Sequence, residues 1–140
     1  MATTASISLS SSIMPNFGGY SKSMTLTEAG TTTDIKETTG YARRQLSAAS
    51  KVDLVTMANL AGGEDTTNLS HKIFIKNIGY RGTIDKTTGV KVLINSVEIG
   101  VLYGGDWMLM PVIASDGEDI EVHPLTDDTV VLEYVMFYEG

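Results

Sequence analysis

The sequence predicts an all-β fold: an antiparallel β-sandwich or jelly roll over residues 31–140, with an extended Ser/Thr-rich N-terminal arm or edge strands over residues 1–30. Three observations predict it. Short segments alternate apolar and polar side chains with period two, the pattern of a half-buried strand. They recur roughly every 8–12 residues with turn-forming residues between them, the spacing of sandwiches and jelly rolls. No helical periodicity is strong enough to alternate with them, which argues against a βαβ arrangement.

Each element follows from its residues. "SISLSSSI" puts Ile7 and Leu9 on one face and Ser6, Ser8 and Ser10 on the other. "YSKSMTLT" does the same with Tyr20, Met24 and Leu26 against Ser21, Ser23, Thr25 and Thr27. Pro15, Gly18 and Gly19 mark the loop between them. The competing reading is a disordered Ser/Thr tract, and an arm that orders on assembly lies between the two. Residues 28–69 are the least legible. "ARRQLSAASKVDLVTMANL" is helical by composition, but its β-branched and Ser content opposes a helix, and "KVDLVTM" reads equally as a strand. "GGEDTTN" is a loop. From Ser70 the signal sharpens. "HKIFIKNI" is a strand, "GYRGTIDKTTGV" a glycine-bearing connection, and "VKVLI-NS-VEIGVLY" a hairpin turning at Asn95-Ser96. Gly104 and Gly105 supply positive φ ahead of "WMLMPV", where Pro111 marks a strand end or sheet edge. After the turn "SDGED", "IEVH" is a short strand. "TVVLEYVMFYE" is a long one, apolar on both faces and therefore expected to be covered on both.

Composition narrows the function. A chain of 140 residues is one domain with room for a core. It has no cysteine, which removes disulfides, thiolate metal sites and a cysteine nucleophile. No apolar run is long enough to span a membrane, and the N-terminus lacks the pattern of a secretory signal. The net charge is −7, and residues 92–140 hold ten acidic side chains with no Lys or Arg. Nucleic acid and anionic membrane both require clustered cations, so neither is an expected partner.

The candidate sites are few. His123 shares an alternating strand with Glu121 and Asp119, a conceivable carboxylate-rich metal site or the acid–base set of a small hydrolase. A solvated acidic strand face is the simpler reading, and no metal or cofactor is expected. Asp116, Glu118, Asp119 and Glu121 lack calcium-loop spacing and read as turn chemistry. Phosphate-loop, nucleophile-elbow and zinc-helix motifs are absent. Arg43 and Arg44 are a candidate interface pair for the acidic half of a neighbouring subunit. Trp107, the only Trp, is expected with Tyr134 and Phe137 as a core anchor. The sharper alternative places Trp107, with Tyr103 and Tyr134, in a groove for glycan.

The Ser/Thr-rich "TTASISLSSS", the strand "FIKNIG", the run "EIGVLYGGDWMLMPV" and the ending "VVLEYVMFYEG" resemble small β-rich virion structural proteins of tailed bacteriophages. The resemblance covers about residues 70–140. It implies a non-enzymatic capsid decoration or cement protein, located in the virion, homo-oligomeric and bound to capsid or other virion proteins. The alternative it implies is a tail or neck component that binds a host-surface glycan or adapts other virion proteins. Ile7, Leu9, Ile13, Phe17 and Tyr20 are then the expected partner-binding arm.

Overall fold

A computed structural model describes residues 2–13, 16, 18–60, 69–112 and 119–139. Phe17, the loop 62–68, Asp116 and Glu118 lie outside the described residues. Within them the chain is all-β, antiparallel throughout, with two single turns of 3₁₀-helix and no α-helix.

The first two strands, β1 (Thr4–Leu9) and β2 (Tyr20–Thr25), form a ribbon paired to itself. The body follows: β3 (Glu37–Thr38), β4 (Ala42–Leu46), β5 (Val52–Val55), β6 (His71–Asn77), β7 (Val90–Ile94), β8 (Val97–Leu102), β9 (Trp107–Val112), β10 (Ile120–Pro124) and β11 (Val130–Tyr138). The segment whose composition allowed a helix is two strands, β4 and β5. In β4 the side chains alternate between core and surface up to the buried Leu46, and β5 turns Asp53 outward while burying Leu54 and Val55.

Pairing is nested. β7 pairs with β8, β6 with β9, β5 with β10 and β4 with β11, so the body is one long antiparallel hairpin rolled into two sheets. The contacts β7–β10 and β6–β11 close the roll. The result is a jelly roll with strand orders β5-β10-β7-β8 in one sheet and β4-β11-β6-β9 in the other. β3 extends β4 along the same edge of β11.

The core lies between the sheets. Ile73, Ile75, Leu132 and Met136 of one sheet meet Val90, Val92, Ile120 and Val122 of the other, all essentially without exposure. Burying a side chain of this size stabilises by about 1.5–3 kcal/mol. The core cluster contains no residue of the ribbon.

The turns match their residues. Asn95 and Ser96 both take left-handed φ (49° and 62°), the two-residue turn that suits the twist of a hairpin. In the Tyr103–Asp106 turn Gly105 has φ +96°. Gly104 does not share it; a Cβ there would come within 2.8 Å of Ile84, so this position needs glycine for close approach. β9 is an edge strand, which tolerates Pro111.

One buried side chain ties the two sheets together. Asn77, at the end of β6, donates from Nδ2 to the carbonyls of Thr88 (2.6 Å) and Leu102 (2.8 Å) and accepts from the Gly79 amide (2.8 Å). Its removal leaves buried backbone groups without partners. Asn77→Ala is expected to lower unfolding stability by about 2–4 kcal/mol, read as a fall in urea midpoint at unchanged m-value.

Candidate functional site

The sheet β4-β11-β6-β9 is apolar on its inner face and carries an apolar stripe on its outer face, flanked there by Lys72, Lys76 and the Arg43–Glu133 pair. Register puts Val135 of β11 opposite Phe74 of β6, and Phe74 opposite Leu109 of β9, all on the face turned away from the core. Trp107 and Phe137 share that outer face. The Trp107 and Phe74 rings are 6.4 Å apart between centroids.

Two of the three expected core anchors therefore change place. Trp107 is 53% exposed, and Phe137 is half-buried on the outer face. Only Tyr134 packs against the core cluster. The cause is parity. In a strand pointing Met108 and Met110 inward, Trp107 must point outward, and in β11 Phe137 sits one residue from the buried Met136. The same parity separates the glycan set, with Tyr134 inside, Trp107 outside and Tyr103 in the end turn.

The ribbon lies over part of this outer face. Ala5, Ile7, Phe74, Lys76, Trp107 and Leu109 line a groove of about 360 Å³. Met24, Leu26, Leu109, Met110 and Pro111 line a second of about 310 Å³. Cross-strand pairs give the ribbon two unlike faces. Ala5 opposite Met24, Ile7 opposite Lys22 and Leu9 opposite Tyr20 form the apolar side, and Ser6 opposite Ser23 with Ser8 opposite Ser21 the hydroxyl side. Of the expected arm residues, Ile7 is half-buried, whereas Leu9 (53%), Ile13 (89%) and Tyr20 (43%) stand exposed.

The root of the ribbon is pinned. Leu26 and Ile35 are buried, and the Ile35 amide donates to the Leu26 carbonyl (3.1 Å). The buried Glu139 carboxylate accepts from the amides of Ala29 (2.6 Å) and Ser70. Lys72 Nζ donates to the carbonyls of Thr27 (2.8 Å) and Ser70. Burial pushes the Lys72 pKa down, and the negative charge of Glu139 opposes that shift. The Glu139 amide donates to His71 Nδ1 (3.1 Å), and the His71 ring meets Tyr138 edge-on. Sequence reading missed this knot, because its members are far apart in the chain and carry no shared motif.

The other candidates have structural partners. Adjacent strand residues face opposite ways, so the Arg43–Arg44 doublet is split. Arg43 pairs with Glu133 (2.8 Å) on the outer face, and Arg44 reaches the Asp53 carbonyl of the other sheet (2.6 Å). The acid expected from a neighbour is thus met for Arg43 within the chain. A hydrogen bond from Tyr41, and after it the Arg43 charge, hold the Glu133 carboxyl below its ordinary pKa. Asp119 accepts from the Met57 amide (2.8 Å), Glu121 pairs with Lys51 (3.1 Å), and His123 Nε2 lies 3.3 Å from the Ala49 carbonyl. Among the described residues no group of three or more His, Asp or Glu side chains is placed to hold a metal ion.

No protein-family model and no curated protein matches this chain. Among solved structures it resembles the Schizosaccharomyces pombe Cnp3 cupin domain, at 7% identity and a TM-score of 0.40, over 99% of this chain and 84% of that one.

Two outcomes follow from the geometry. Trp107→Ala is expected to fold and to lose at most about 1 kcal/mol, whereas Leu132→Ala should lose about 2–5 kcal/mol; urea titration of both variants checks this. Because the Glu133 pKa is depressed on folding, its contribution is complete above the unfolded carboxyl value and is lost as pH falls through the folded one. Glu133→Gln should therefore flatten part of the acid limb of the stability curve, measured as thermal midpoint against pH.

Proposed function

We propose that this chain is a non-enzymatic structural protein of a tailed-bacteriophage virion, a capsid decoration or cement protein that holds its neighbours through apolar β-surface. The observation that carries the reading is the outer face of the β4-β11-β6-β9 sheet together with the ribbon above it. It exposes Trp107, Leu9, Ile13 and Tyr20 outside the core. Large apolar side chains left exposed on the sheet face and on the ribbon above it support an interaction surface there. The strands that carry the resemblance to virion proteins, β6, β9 and β11, are the neighbours that build this face. Contacts weak singly add up when repeated on a symmetric particle. Nucleic acid and membrane are not partners in this reading, since residues 92–140 carry ten acids and no Lys or Arg.

A second reading, a tail or neck component binding a host-surface glycan, draws support from the half-exposed Trp107 ring beside Lys76 in the groove. Saturable oligosaccharide binding that disappears in Trp107→Ala would select it.

The structural reading is tested on purified particles of the phage that carries this sequence. The chain should be present in a copy number set by the symmetry of its site on the particle. Deleting residues 1–20 should leave a soluble β-domain that no longer binds, because the ribbon contributes nothing to the core cluster. Absence from the particle, or undiminished binding by the truncated chain, would overturn it.

A further inference from the structure

We propose that His71 is an acid-operated latch on the ribbon: proton uptake by its ring frees the ribbon root while the jelly-roll body stays folded. The inference concerns the chain's own conformations and does not depend on the virion reading, so the failure of either leaves the other standing.

His71 opens β6 and has no exposure. Its Nδ1 accepts a hydrogen bond from the Glu139 amide (3.1 Å). A backbone N–H only donates, so Nδ1 presents its lone pair, and the closed structure fixes the ring as neutral with its proton on Nε2. A second proton has one place to go, and that place is taken. Protonated Nδ1 would face the Glu139 N–H donor against donor, and a charge would stand out of water. The ring takes the proton only when Glu139 moves away.

Glu139 is also the residue that holds the ribbon. Its carboxylate accepts from the amides of Ala29 (2.6 Å) and Ser70. Displacing its backbone withdraws the carboxylate from both, and the root loses its clamp. The surroundings do not favour a cation in place. Lys72, next in the chain, already brings a positive charge to the knot. On β11 the Tyr138 ring lies edge-on at 6.5 Å between centroids, and on β9 the opposite residue is Val112. In the opposing sheet the acids flanking Ile120 are engaged, Asp119 by the Met57 amide and Glu121 by Lys51. The Glu139 carboxylate would attract an imidazolium, but only by leaving its two amides, which is the release itself. The body survives that opening, since the core cluster contains neither ribbon residues nor Leu26 and Ile35 of the root.

The open ring takes up one proton below about pH 6.5, the ordinary His value. Opening is then favoured ~10-fold per pH unit as pH falls. Hydrogen exchange of the full chain, corrected for intrinsic rates, reads this. Protection at the Ala29, Ile35 and Ser70 amides should be constant above about pH 7.5 and fall about 30-fold from there to about pH 5. Val131, whose amide donates to the Gly79 carbonyl within the body (2.8 Å), should keep its protection. His71→Asn keeps an acceptor near the Nδ1 position and takes no proton, so its root protection should stay flat over this range. The chain has one other imidazole, His123. His123→Gln should leave the fall intact, which assigns it to His71 even where His71→Asn does not fold. Root protection flat to pH 5 in the parent overturns the latch. So does a fall that persists in folded His71→Asn or vanishes in His123→Gln, and so does Val131 losing protection in step with the root.

Discussion

A sheet with an apolar stripe on its outer face as well as an apolar inner face has more to bury than a two-layer fold can cover, and this protein is organised around that excess. Its inner face is satisfied by the opposing sheet, where Ile73, Ile75, Leu132 and Met136 are sealed against Val90, Val92, Ile120 and Val122. Its outer face, with Phe74, Leu109, Trp107, Val135 and Phe137, cannot be satisfied the same way, because the chain has no third body sheet among the described residues. The two-stranded ribbon is what the chain lays there. Its root half lines the grooves and its tip half does not reach cover, so the surface left exposed is a consequence of the fold.

The opposite sheet has no such problem. Its outward side chains include Asp53, Lys91, Glu98 and Glu121, and ion pairs join Lys51 to Glu121 and Lys91 to Glu98. Charge on an outward face keeps that surface in water. The two sheets therefore differ in degree: both carry outward charges, and the β4-β11-β6-β9 sheet adds the apolar stripe that the ribbon lies over. The knot of Glu139, Lys72, Ser70 and Ala29 belongs to the same side, where it converts a marginal two-stranded element into one with a fixed root. Asn77 has the matching role inside the body, since its two donated hydrogen bonds hold the end of β6 to Thr88 and to the end of β8 in the other sheet, while the Gly79 amide fixes its own turn.

The sequence by itself determined the elements whose signal is local. Alternation in "HKIFIKNI" and "VVLEYVMFYE", the Asn95-Ser96 turn and the edge proline of β9 were all readable, because strand period and turn chemistry act over a few residues. Even the two unlike faces of the ribbon could be read from "SISLSSS" and "YSKSMT" alone. Tertiary structure alone decided what depends on distant segments. Nested pairing made a jelly roll out of strands that would also suit a simple sandwich, and it drew β4 and β5 out of a segment with helical composition. Periodicity grouped Trp107 with Leu109 but could not say which face was the core, since both faces of β9 are apolar. The ribbon's root was invisible for the same reason: Glu139 meets Ala29 and Ser70 only after the roll has closed, and long-range contact leaves no mark on local pattern.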